Sequence, residues 1–100
     1  EYPYEPMYLM ETARRFRRQL AMPLVYLGGV TDAEGMDAAL AAGFEYVAMG
    51  RALLREPDLL RRIARDSSVR SACIHCNKCM PTIFTRTRCP FIPVQSDRRA

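Results

Sequence analysis

Tryptophan is absent from this sequence, histidine occurs once, and apolar residues never run uninterrupted for long. The last absence excludes a membrane-spanning helix, which needs about 20 consecutive, predominantly apolar residues. The opening EYPYEPMY also lacks the basic, then apolar, then small-residue layout of a secretory leader, so a cytoplasmic protein is expected. Basic and aromatic residues are not interleaved as they are on a nucleic-acid platform. The net charge of +4 is instead divided among separate arginine groups around Arg14, Arg61 and Arg86, mostly near expected helix ends. Neither nucleic acid nor a membrane is therefore expected as a partner.

What is present reads as globular: 49% hydrophobic and 26% charged residues. A chain of 100 residues can build one small core. From Glu5 to Leu20, the residues Met7, Met10, Ala13, Phe16 and Leu20 recur at helical steps, and Pro23 stops the helix they predict. Met7, Met10, Met36 and Met49 are expected core fillers, and Met22 a packing residue. Leu24 to Leu27 is a short apolar, β-prone run closed by Gly28 and Gly29, and predicts a buried parallel strand. Thr31 and Glu34 match a capping box for a helix whose apolar stripe is Ala33, Met36, Ala39 and Leu40, ended by Gly43. Tyr46 to Met49 predicts a second buried strand, closed by Gly50 and Arg51. A short helical turn, a break at Pro57 and a helix to about Asp66 follow.

This alternation is the grammar of α/β folds. Two strands cannot make a sheet covered on both faces, so the chain is either a minimal fold or part of a larger barrel. After Ser67 the pattern dissolves into a loop-rich tail. Both strands end in glycine before a helix start, LGGVTDAEG and MGRALL. Glycine lets an anion approach the backbone, helix N–H groups point at it, and Arg51 can add a charge-assisted contact. In barrels of eight βα units a phosphate site is often built from the loops after the last two strands. Taken singly, Gly28, Gly29 and Gly50 can equally be there for tight turns alone.

The segment PLVYLGGVTDAEGMDAALAAGFEYVAMGRALLREPDLLRRI resembles the end of the catalytic barrel of old yellow enzyme-like NADH:flavin oxidoreductases, and the likeness continues through CIHCNKCMPTIFTRTRC. It covers roughly residues 20 to 90. The resemblance implies the C-terminal quarter of a flavin-binding TIM (β/α)8 barrel over residues 1–70, with a cysteine-containing extension over 71–100. It places Gly28 and Gly29 at the seventh-strand loop and Gly50 with Arg51 at the eighth-strand loop, all four around the FMN phosphate. It further implies NAD(P)H as electron donor, an enone or enoyl substrate, and the remainder of the barrel as partner, with Tyr2, Tyr4 and Tyr8 packing against it. The family's substrate-polarising and proton-donating residues come from earlier strands that this chain does not contain, so no catalytic residue is assigned and the chain alone is expected to be inactive.

Cys73, Cys76, Cys79 and Cys89 are separated by two, two and nine residues. Such spacing lets thiolates converge on one centre and suits an iron-sulfur cluster or zinc. Reduced cysteines on a packing loop are the alternative, and a disulfide framework is disfavoured in a reducing compartment. The resemblance draws the four toward a 4Fe-4S cluster, because the 2,4-dienoyl-CoA reductase branch carries one just after its barrel. That branch has three residues between its second and third cysteines and a longer reach to its fourth. His75, with four cysteines beside it, is expected to be a bystander. A small zinc or iron-sulfur module, or a truncated product without flavin chemistry, is the alternative reading of the whole chain.

Overall fold

The computed structural model describes residues 5–92. Helix α1 (Met10–Gln19) leads into strand β1 (Val25–Leu27), helix α2 (Ala33–Ala41), strand β2 (Tyr46–Ala48), the short helix α3 (Arg51–Arg55) and helix α4 (Leu59–Arg65). The tail carries a turn of 3-10 helix, Met80–Phe84. The two strands pair in parallel, Val25 with Tyr46, Tyr26 with Val47 and Leu27 with Ala48. No helix among the described residues is long and apolar enough to cross a membrane. The expected order of helices and strands is therefore found, with the break at Pro57 and the end of α2 before Gly43 (φ 104°) in place.

Local starts differ from expectation, for identifiable reasons. Met7 takes a left-handed backbone (φ 58°) and gives its N–H to the Gly29 carbonyl at 3.2 Å. The helix expected from Glu5 therefore begins at Met10, and the preceding turn is docked on the end of β1. Helix α2 is capped by Asp32, whose side chain accepts from Gly35 N–H at 2.8 Å, and not by Thr31. The Thr31 carbonyl instead accepts the Ser71 N–H at 2.9 Å, and Asp32 bridges to Arg70, which ties the start of the tail to the start of α2.

One core joins α1, β1 and α2 through Met10, Tyr26, Val30, Ala39 and Phe44, with Met7, Met36 and Met49 packed against it. Tyr26 and Phe44 meet edge to face at 5.6 Å between ring centroids. The Tyr26 hydroxyl donates to the Gly28 carbonyl at 2.6 Å, satisfying a buried polar group. A second cluster, Ala52, Leu59 and Ile63, seats α3 and α4. Leu40, expected on the inner stripe of α2, is exposed, and Met22 is largely exposed.

Both strands were expected to be buried, and here they differ most. Tyr26 is 1% exposed on the covered face, whereas Val25 (56%), Leu27 (59%) and Tyr46 (64%) form an open apolar face. Period-2 alternation explains the split: the helices lie on one side of the sheet only. Arg17, read as part of a solvated arginine face, has a side chain only 16% exposed. It ties α1 to the loop before β2 through the Gly43 carbonyl and the Glu45 carboxylate, each at 3.1 Å.

Candidate functional site

The loops after β1 and β2 leave the same end of the sheet, as parallel strands require, and open into one cleft of about 460 Å³. Gly28, Gly29, Gly50 and Arg51, nominated from sequence, all line it. Pockets at the carboxyl ends of parallel strands are where α/β folds bind ligands. The three glycines occupy it for different reasons. Gly28 (φ 150°) and Gly29 (φ 74°) lie beneath the Met7–Leu9 turn: a Cβ on Gly28 would come 2.9 Å from Leu9 Cδ1, and one on Gly29 would come 2.7 Å from the Met7 amide nitrogen. These two are required by the chain's own packing. Gly50 meets nothing within 4 Å of where its Cβ would be, so the space beside it is left to the cleft.

The expectation that helix termini aim N–H groups at an anion is met only in part. The first turn of α2 is held by the Asp32 carboxylate, and the cleft lining after β1 stops at Val30. The positive charge of the cleft comes from Arg51. Its Nη1 donates to Asn77 Oδ1, and its Nη2 lies 3.5 Å from the Tyr8 hydroxyl. Tyr8, His75 and Asn77 line the same cleft, and none of the three was nominated from sequence. Tyr8 was expected to face a missing part of a barrel and instead reaches Arg51; Tyr2 and Tyr4 lie outside the described residues. His75 and Asn77 carry left-handed backbones (φ 56° and 65°), conformations open to histidine and asparagine more than to most residues. A loop rich in such residues is the one signal that could have drawn them in.

Behind Arg51 is a second, smaller cavity with room for about one water molecule, and it is lined by Cys73, Cys76, Cys79 and Cys89 together. All four are free thiols. Arg55 Nη1 donates to Cys89 Sγ at 3.4 Å, and the His75 N–H to Cys73 Sγ at 3.4 Å. Burial pushes the Cys73 thiol above its ordinary value; the His75 N–H and the Arg51 charge oppose that, while Cys79 and Cys89 reinforce it. Burial, with the Arg51 charge, holds His75 below the usual imidazole value. The spacing thus brings the thiols to one place. Among the described residues, however, no group of three or more His, Cys, Asp or Glu side chains is placed to hold a metal ion.

The tail that carries these cysteines is fastened by Glu56. One carboxylate oxygen accepts from Ser71 Oγ and Ala72 N–H, both at 2.6 Å, and the other pairs with Arg62 at 2.6 Å. Burial pushes the Glu56 carboxyl up, but the hydrogen bonds from Ser71, Arg62 and Ala72 outweigh it and leave the group below its usual value.

Over 88 residues, 88% of its length, the chain is 51% identical to the 4,4'-dithiodibutanoate disulfide reductase of Rhodococcus erythropolis, of which it covers 22%. The chain is similar to part of an oxidoreductase. It is also 38% identical over 56 residues to imidazole glycerol phosphate synthase subunit HisF of Thermobifida fusca, and 41% identical over 54 residues to that of Streptomyces coelicolor. These matches take in 56% and 54% of the chain and 22% of each relative, so the chain spans about a fifth of the length of the curated relatives it matches. No family model and no solved structure matches it.

Proposed function

We propose that this chain is the closing quarter of a flavin-binding (β/α)8 barrel in an FMN-dependent NAD(P)H oxidoreductase of old yellow enzyme-like type, and that its cleft holds the FMN phosphate. The observation that carries the reading is the convergence of Gly28, Gly29, Gly50 and Arg51 on one cleft at the carboxyl ends of two parallel strands. The group fits there: Arg51 supplies a cation, and the volume beside Gly50 is open to a phosphate oxygen. Likeness to a reductase on one side, and to an enzyme subunit whose name carries a phosphate ester on the other, supports it.

When bound, FMN supplies the transfer of hydride from NAD(P)H to an acceptor. The chain's own contribution is to hold the phosphate, exclude water from the backbone of the two loops and fix the position of the flavin tail. The remaining strands and helices of the barrel cover the open face at Val25, Leu27 and Tyr46 and bring the acceptor-binding residues. An enone, an enoyl compound and a disulfide are all two-electron acceptors, and the name of the Rhodococcus relative favours a disulfide. The four cysteines line one small cavity as free thiols, and no electron step is routed through them.

The test is a comparison of FMN with riboflavin, which differ by the phosphate, in flavin-fluorescence titrations of the chain. FMN binds at least about tenfold more tightly, as one charge-assisted contact requires, and Arg51→Ala removes the difference. Equal affinity for the two flavins overturns the reading.

A further inference from the structure

We infer that Asn77, from the cysteine-bearing loop, is a positioning residue for this anion site: its side-chain oxygen holds the Arg51 guanidinium at the wall of the cleft. The inference deepens the phosphate reading and rests on it. Arg51 begins α3, and a five-residue helix with an arginine at its first position leaves a long side chain with many rotamers. Ordering such a side chain costs conformational freedom, which an anion would otherwise have to supply on binding. In the structure that ordering is already made. Asn77 Oδ1 takes the Nη1 donor, and the Tyr8 hydroxyl stands 3.5 Å from Nη2, so the guanidinium is braced by side chains from the tail and from the turn before α1.

Two features separate this from an incidental surface contact. Asn77, Tyr8 and Arg51 line the same cleft as Gly50. Asn77 also holds a left-handed backbone (φ 65°), a conformation more open to asparagine than to most residues. The amide is the suitable acceptor chemically. A neutral oxygen orients the guanidinium without cancelling its charge, whereas a carboxylate in the same place would neutralise it and repel a phosphate. The tail is thereby part of the anion site, and the cysteine loop has a role that needs no metal.

The experiment uses the whole chain with FMN, riboflavin and inorganic phosphate as probes. Asn77→Gly suits the left-handed backbone and removes only the side chain, so the chain folds. It lowers FMN affinity about three- to tenfold and leaves riboflavin binding unchanged. Asn77→Asp lowers FMN and inorganic phosphate affinity further than Asn77→Gly does. In the Arg51→Ala background Asn77→Gly has no further effect, because the two residues act as one unit. If the unaltered chain prefers FMN but Asn77→Gly retains the full preference, or if the two substitutions add, the positioning role is wrong while the phosphate reading stands. If the unaltered chain does not distinguish FMN from riboflavin, both fall together.

Discussion

Alanine at position 29 would have to place a Cβ 2.7 Å from the Met7 amide nitrogen while keeping φ at 74°. The left-handed backbone alone costs about 1–2 kcal/mol, so Gly29→Ala lowers stability by at least that much in a denaturant titration. Gly50→Ala meets open space and an ordinary φ, and stability stays within about 0.5 kcal/mol, yet FMN affinity falls because the methyl group occupies the cleft. A Gly50→Ala chain that bound FMN as well as the unaltered one would remove Gly50 from the site. The glycines were legible in the sequence as a set, but their division was not. Which glycine is fixed by packing depends on the Met7–Leu9 turn folding onto β1, a contact between residues some 20 positions apart that no local pattern encodes. Tyr8 and Asn77 were hidden for the same reason: their role exists only once Arg51 lies between them.

At the scale of elements, Glu56 clamps the corner between α3 and α4 to the start of the tail. Glu56→Gln keeps the shape but removes the charge from these hydrogen bonds and turns an amide NH2, which cannot accept, toward one set of donors; it costs about 1–3 kcal/mol at neutral pH. The sign of the pH dependence follows from the lowered carboxyl. The unfolded chain takes up the proton first, near 4.5, so the stability Glu56 provides is complete above that value and is lost as pH falls from there through the lower folded-state value. The gap between the unaltered chain and Glu56→Gln in denaturant titrations therefore narrows below pH 4.5, and a gap constant down to pH 3 would contradict the clamp. The elements themselves were largely readable, since apolar period and the breaks at Pro23, Gly43 and Pro57 mark them. The exceptions have tertiary causes. Helix α1 lost its first turn to the contact between Met7 and Gly29, and the capping box lost Thr31 because the Asp32 side chain takes the Gly35 N–H. Arg17 became an anchor because the loop before β2 passes beside it.

For the whole molecule, a two-stranded parallel sheet is marginal by itself, and among the described residues this one leaves Val25, Leu27 and Tyr46 uncovered beside unpaired strand edges. Such a face is a surface for association. Sedimentation equilibrium should show concentration-dependent self-association, and Leu27→Lys should reduce it without lowering the unfolding midpoint. A chain that stays monomeric at all concentrations would contradict the missing-barrel account. That account also rests on direction: both strands run the same way, so their glycine loops meet at one end, and the cleft is a consequence of topology more than of any single motif.

The proposed phosphate site in the cleft is the centre of this account, and the most direct measurement is a backbone amide chemical-shift titration of the chain with FMN, set against one with riboflavin. The account predicts FMN-specific shifts at Gly50, Arg51 and Asn77, absent with riboflavin and lost in Arg51→Ala. Shifts confined to the exposed arginines of α1 and α4, or identical with both flavins, would contradict it.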